Sequence, residues 1–333
     1  MQNILDLRHE VTPPMLTEEV QNRLAWTNAD IDLNNAVIKL DASCHEELLC
    51  LAELLAQPKK NCTQHYFHEF NLPQLASVMR KAKRKIDNGP GFAVIKGLPL
   101  DMFDQDIVTK IFWILGQIIG RPVAQKWDET LLYEVRDTGQ TYGYGVRGSY
   151  TNVELSFHND NAFNSSVPRA VGLLCINSAK TGGDSRFCSF YSIHNLLLKK
   201  YPDVLERLYQ PVYWDRQKEH GEGEPIAAFA PVFRCIKNQL FVRANVSLNR
   251  KGYEILGLDI DRETKYALEI FEECLSDPEF WVELPLEPGD LQYLNNQEIG
   301  HYRSQFMDFE ELEKKRFLIR TWHRDSGNAT YHG

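Results

Sequence analysis

The sequence predicts a mixed α/β protein with a mainly β core, a sandwich or jelly roll with helices packed outside and an N-terminal helical layer. Three observations predict it. Beyond about residue 130, short runs rich in β-branched and aromatic residues follow one another, most of them separated by glycine, proline or charged breaks. Only two stretches of helical spacing, "SIHNLLLKKYPDVLERLY" and "DRETKYALEIFEECLSD", interrupt that pattern. The first 90 residues, in contrast, carry helix-like spacing throughout. Many short strands with a few helices must bury their apolar faces in layers, and a helix-covered sandwich is the economical way to do so.

Taken in order, "CHEELLCLAELLAQ" and "LPQLASVMRKAKRKI" repeat apolar residues at three- and four-residue intervals, the period of a helix face. After the turn signal "DNGPG" comes the β-rich "FAVIKGLPL", then "DQDIVTKIFWILGQIIG", which starts with acidic residues and closes on glycine as a helix does. The strands follow: "LLYEV", "YTNVELSFH", "AVGLLCI", "PVYW", "PVFRCI", "LFVRA", "WVELPL", "DLQYL" and "RFLIRTW". This divides the chain into a helical extension, 1–90, packed on a mainly β core, 91–333, the whole forming a single domain.

Composition narrows the class. With 333 residues, 43% hydrophobic and 25% charged, the chain is an ordinary globular one. A net charge of -9 without any basic stripe argues against a nucleic-acid binder, which must displace counterions with clustered lysine and arginine. No apolar run is long enough to span a membrane, and "MQNILDLRHE" carries charge where a signal peptide needs an apolar core. A cytoplasmic protein with a small-molecule partner is expected, its oligomeric state left open. The seven scattered cysteines, with no C-x-x-C pair, fit core filling in a reducing compartment.

The chemistry concentrates in "ELSFHNDNAF". In an extended chain Glu154, Ser156, His158 and Asp160 share one face, and Val153, Leu155, Phe157 and Asn159 the other. Polar groups on a buried face need a partner such as a metal. A third ligand is supplied by His301, which follows "EPGDLQYLNNQEIG", a turn and strand that bring it toward the same mouth. Two histidines and one carboxylate on one side of an ion leave open positions and suit non-haem Fe(II). In "KTGGDSRF" two glycines permit a tight turn before the Ser185 hydroxyl. In "KKRFLIRTWHR", Arg316 and Arg320 are expected to project from one strand face, and a dicarboxylate would meet their planar forks.

Together these residues resemble the Fe(II)/2-oxoglutarate-dependent dioxygenases of the taurine dioxygenase and clavaminate synthase-like group. The resemblance runs from "GFAVIKGLP" to "RFLIRTWHR": His158-Asn159-Asp160 for the H-x-D/E, "TGGDS" for the glycine turn, and "PGDLQYLNN" with His301 for the late strand and second histidine. It implies a double-stranded β-helix, a jelly roll, with Fe(II) held by His158, Asp160 and His301. It also implies 2-oxoglutarate held at its far carboxylate by Arg316 and Ser185, with Arg320 as the second arginine, and O2 as the oxidant. Hydroxylation of an unactivated C–H bond with release of succinate and CO2 follows, or desaturation or cyclisation with the same cofactors. Where many relatives read His-Gly-Arg, this chain has His301-Tyr302-Arg303. A zinc hydrolase on the same three ligands and a noncatalytic binding barrel are the remaining alternatives.

For the substrate, Glu154 lies two side chains along the His158 face, roughly 13 Å by strand rise, and a carboxylate there favours a cationic group such as that of an amino acid or amine. The competing expectation pairs Glu154 with Arg147 or Arg303. Ser156, Gln125 and Tyr142 complete the candidate substrate contacts. The tract "DTGQTYGYGVRGSY" is expected as a flap, and "DRQKEHGEGEP", with Trp214 and His220, as a lid. His194 is expected to cap a helix or face solvent.

Overall fold

The structure is a computed structural model that describes residues 4–8, 14–56, 60–143, 145–237 and 239–333. From the N-terminus run β1 (Ile4–Asp6), α1 (Leu33–Ala36), β2 (Val37–Lys39), α2 (Ala42–Leu55), α3 (Pro73–Asn88), β3 (Phe92–Lys96), α4 (Gln105–Gly116), β4 (Arg121–Val123) and β5 (Tyr133–Val135). Then come β6 (Leu155–His158), β7 (Ala170–Asn177), β8 (Thr181–Gly182), β9 (Ser185–Ser189), α5 (Phe190–Lys200), α6 (Pro202–Leu208), β10 (Pro211–Asp215), β11 (Ala227–Pro231), β12 (Phe233–Ile236) and β13 (Gln239–Val242). The chain ends with α7 (Val246–Leu256), α8 (Arg262–Ser276), β14 (Trp281–Glu283), β15 (Leu291–Asn295), β16 (Ile299–Arg303), β17 (Phe306–Met307) and β18 (Phe317–Arg324).

Two sheets face each other. The larger has the order β2-β3-β15-β7-β18-β4, with β5 also paired to β18, and the smaller the order β14-β9-β16-β6. All pairs are antiparallel except β2 with β3. Phe92, Val171, Leu294 and Trp322 of the larger sheet pack with Phe187, Val282 and Ile299 of the smaller in one buried cluster. At its centre the Phe92 and Phe187 rings stack at 4.4 Å. Helices α2, α3 and α4 cover the outer face of the larger sheet, where Leu48, Met79 and Phe112 meet Ile95, Leu174 and Leu291. The result is a mixed α/β protein built mainly of sheets.

The strands expected from the sequence all form, and the differences have local causes. The N-terminal 90 residues hold helices as expected but also lend two edge strands: β1 pairs with β11 and β2 with β3. The stretch expected as one helix over "SIHNLLLKKYPDVLERLY" breaks into α5 and α6 at Pro202, which cannot continue the first helix. Helix α7 is not expected from the sequence; a Cβ on its Gly252 would come 2.6 Å from the Trp214 backbone nitrogen, so glycine lets α7 lie directly on β10. Trp214 itself is fully buried in β10, with its indole N–H donating to Ala230, and is no part of a lid. His194 is likewise fully buried, its ring 2.9 Å from the Tyr209 hydroxyl, and burial pushes its pKa down to about 4.

Because Phe92 and Phe187 join the two sheets, Phe92→Ala is expected to destabilise the protein by about 3–5 kcal/mol, the cost of a large aromatic-to-alanine cavity. Urea unfolding measures it, and an unchanged midpoint would place the centre of the core elsewhere.

Candidate functional site

The site forms where β6, β16 and β18 meet. His158 ends β6, and its Cα lies directly opposite that of His301 on the neighbouring antiparallel strand β16. The two rings come to 4.2 Å between centroids. The His158 Nδ1–H donates to the Ser156 carbonyl at 2.8 Å, which fixes the tautomer and leaves Nε2 free to bind. Asp160 lies beyond the strand, in the turn that follows it, so the period-two alternation that grouped it with His158 does not extend that far.

Two asparagines hold that turn. The Asn159 amide donates to the Val242 carbonyl at 2.8 Å, and its oxygen accepts from the Ala244 N–H at 2.7 Å. Asn296 brackets Asp160 from the other side: its oxygen accepts from the Asp160 N–H at 2.8 Å, and its amide donates to the Asp160 and Pro168 carbonyls, each at 3.0 Å. Asp160 Oδ2 then accepts from the Trp322 indole at 2.8 Å and pairs with Arg320 at 3.0 Å. Oδ1 accepts a longer contact from Arg320 at 3.3 Å and faces the histidines, 3.9 Å from His158 Nε2 and 3.8 Å from His301 Nε2.

Among the described residues, these three side chains form the His/Cys/Asp/Glu group convergent enough to hold a metal ion. Both carboxylate–imidazole separations are shorter than two metal–ligand bonds of about 2.1 Å, so one ion reaches Asp160 and either histidine. The protonation states suit it as well. Burial, then the neighbouring His158, pushes His301 down to about 3, and burial also lowers His158, so both rings are neutral donors. Burial works against the charge of Asp160, but Arg320, the two histidines and Trp322 hold its carboxyl at about 2.

His158 and Asp160 open onto a cavity of about 160 Å³ whose wall includes Tyr142, Arg147, Glu154, Ser156, Arg320 and Trp322. Arg147 and Glu219 form an ion pair of 2.6 Å in the wall, buried on both sides and unanticipated by the sequence. The Tyr142 hydroxyl lies 3.2 Å from the Ser247 hydroxyl, and Lys251 Nζ stands 3.7 Å over the Tyr142 ring. A Cβ on Gly145 would meet the Lys218 side chain, so the two tracts expected as flap and lid touch each other beside the cavity. Tyr144 of the flap lies outside the described residues.

The remaining candidates separate. Arg320 is committed to Asp160 and, through Nε, to the Gln125 side-chain oxygen at 2.8 Å. Gln125 is fully buried, and its amide donates to the Leu131 and Arg320 carbonyls, so it supports Arg320 and is not a substrate contact. Arg316 precedes β18, and a register shift between Phe317 and Leu318 separates it from Arg320, so counting by twos fails and the two guanidiniums reach different neighbours. Arg320 lies over Tyr133 and Trp322, whereas Arg316 lies over Phe306 and against Gly183, where a Cβ would come 2.9 Å from its Nε. Ser185 is buried at the start of β9, its Cα opposite Arg303. Glu154 is exposed at the rim and faces Tyr302, whose pKa burial and then Glu154 push up to about 12. Neither expected arginine pairs with it: Arg147 takes Glu219, and Arg303 donates to the carbonyls of Gly148, Thr151 and Val153.

Two imidazoles and one buried carboxylate at the end of a two-sheet core, with buried arginines beside them, form a donor set that suits non-haem Fe(II). The family model for the taurine catabolism dioxygenase TauD, TfdA family matches residues 56–322, and the chain belongs to that family. It is 28% identical over 314 residues to FR-33289 synthase of Streptomyces rubellomurinus, covering 92% of this chain and 91% of that protein. Among solved structures, asparagine oxygenase in complex with Fe(II), 2S,3S-3-hydroxyasparagine and succinate superposes with a TM-score of 0.67 at 20% identity, covering 86% of this chain and 93% of that one. The non-heme iron oxygenase OrfP in complex with Fe and alpha-ketoglutaric acid does so with a TM-score of 0.61 at 12% identity, covering 87% and 94%. Iron, 2-oxoglutarate and O2 are therefore the reactants, and the zinc-hydrolase and noncatalytic alternatives fall away. Among the described residues no helix is long and apolar enough to cross a membrane.

Trp322→Phe removes the N–H that holds Asp160 Oδ2 while keeping an aromatic side chain at a buried position. Fe(II) affinity is expected to fall about 10- to 100-fold, the usual cost of losing a partner of a metal ligand. Anaerobic metal titration reports it, and unchanged affinity would show that the indole plays no part in holding the carboxylate.

Proposed function

We propose that this dioxygenase hydroxylates an unactivated C–H bond of a small amino acid or amine-bearing molecule. One oxygen atom of O2 enters the product alcohol and the other enters succinate, formed with CO2 from 2-oxoglutarate. The observation that carries the reading is the convergence of His158, Asp160 and His301 on one point, with His158 and Asp160 in the wall of a single cavity. Solved neighbours hold 2S,3S-3-hydroxyasparagine and (3S)-hydroxy-L-Arg, which supports hydroxylation over desaturation or cyclisation and an amino-acid substrate class.

In this reading His158, Asp160 and His301 hold the iron, and Arg316 with Ser185 receives the far carboxylate of 2-oxoglutarate. Bound iron and 2-oxoglutarate supply the oxidative decarboxylation that makes C–H oxidation possible. The residues of the chain set the conditions for it. Arg320 and Trp322 keep Asp160 ionised and turned toward the histidines. The buried Arg147–Glu219 pair closes the wall against water, and Tyr142 and Ser156 line the space left for substrate. Glu154, at the rim, receives a cationic group. The same reading takes the two facing sheets as a double-stranded β-helix and residues 91–333 as the catalytic unit on which 1–90 is packed.

Adding Fe(II) and 2-oxoglutarate without oxygen is expected to produce a weak visible charge-transfer band, absent in His158→Ala, Asp160→Ala and His301→Ala. Admitting O2 should then release succinate slowly even without substrate. Protein that retains zinc and never binds 2-oxoglutarate sinks the assignment of these ligands. For the substrate, succinate release is expected to quicken with cationic or zwitterionic amines, and Glu154→Gln should raise the KM for a cationic substrate. Turnover confined to anionic or uncharged compounds removes the role given to Glu154.

A further inference from the structure

Arg303 is a buried cation for which the proposed chemistry has so far had no use. It lies two residues beyond His301 on β16, and the Cα opposite it on β9 is that of Ser185. The pairing of β16 with β6 shifts register between His301 and Arg303, but its pairing with β9 runs unbroken there. Side chains two apart on a regular strand share a face, so Arg303 stands one side-chain step, roughly 7 Å, from His301 and on its side of the sheet. Arg316 arrives from the other sheet. The Arg303 and Arg316 guanidinium carbons lie 4.9 and 5.1 Å from the centroid of the same Phe306 ring. The two carbons are therefore no farther apart than the sum of those distances.

Both groups are in effect unanswered. Arg303 and Arg316 are 6% and 5% exposed. Arg303 uses one nitrogen on three backbone carbonyls, while its Nε and Nη1 have no hydrogen-bond partner, and neither has Nη1 of Arg316. Asp137, Asp184 and Asp308 act on them from a distance, but among the described residues no carboxylate comes within the 4.0 Å of an ion pair with either guanidinium. Two neighbouring buried cations with three idle nitrogens are costly unless an anion completes them.

We propose that Arg303 is a second cationic binding residue for the cosubstrate, so that the far carboxylate of 2-oxoglutarate is held by the Arg303–Arg316 pair together with Ser185. The inference rests on the cosubstrate reading given above. Two methylenes separate the 2-oxo carbon of the cosubstrate from its far carboxyl carbon, a span that fits within the single strand step from His301 to Arg303. The paired charges make the seat selective for a dianionic 2-oxo acid over a monoanionic one of the same chain length.

The test compares 2-oxoglutarate with 2-oxopentanoate, which has the same five carbons without the far carboxylate. Binding is read anaerobically in the Fe(II) protein by the visible band and by calorimetry. Arg303→Met is expected to weaken 2-oxoglutarate about 10- to 100-fold, the range for a lost charge-assisted contact, and to leave 2-oxopentanoate unchanged. Arg303→Lys, which restores the charge but not the bonds to the three carbonyls, should keep most of the preference for the dianion. Equal weakening of both acids would show that Arg303 only braces the 148–153 segment, and unchanged 2-oxoglutarate binding in Arg303→Met would show no role at all; either result overturns the proposal. If these variants fail while the wild type binds 2-oxoglutarate, only the role of Arg303 is lost. If the wild type binds neither acid, the cosubstrate reading falls and this one with it.

Discussion

The arrangement depends on keeping one carboxylate charged inside a protein. Asp160 is buried between two sheets, where an isolated anion would take up a proton. Arg320 and Trp322 of β18 prevent that: both close on Oδ2, and Oδ1, which takes only a longer contact from Arg320, faces the histidines of β6 and β16. The ion pair contributes little net stability by itself, since desolvation offsets much of the attraction, but losing one member would strand the other at a cost of about 3–5 kcal/mol. Its value is positional. A strand from each sheet must be in register for Asp160 to have partners, so the geometry of the site and the packing of the sandwich are one constraint.

That constraint accounts for the composition of β18. All eight of its residues are buried, yet half of them, Arg320, Thr321, His323 and Arg324, are polar or charged. In a strand meant only for packing this would be a defect. Here each of the four finds a partner: Arg320 takes Asp160 and Gln125, Thr321 and His323 lie 2.9 Å apart, and Arg324 donates to the carbonyls of Ser166, Thr330 and Tyr331. The same strand thus serves as an interior strand of the larger sheet and as a wall of the active site.

The strands and the three ligand residues were legible because their signals are local: period-two runs between turn residues, an H-x-D at a strand end, a histidine after a Pro-Gly-Asp turn. What escaped was non-local. Asn296 reads as an ordinary polar residue beside a turn, and only the fold shows it bracketing Asp160 from 136 positions away. Glu219 sits in a charged loop whose composition suggests solvent, yet it is buried against Arg147. Gln125, and the shared face expected for Arg316 and Arg320, show the opposite failure. The residue type was suggestive, but a side chain's use depends on neighbours and on a strand irregularity that period-two counting cannot foresee.

The direct opposition of His158 and His301 on adjacent strands has a consequence for how the chain reaches its native state. A strand paired one residue out of register turns every side chain to the other face, which a buried apolar face already penalises. Here a slip of β6 against β16 would carry one imidazole away from the other and dissolve the ligand set. Iron held by all three side chains would therefore favour the correct pairing over its nearest competitors. Such a metal would double as a proofreading device for the sheet that carries it.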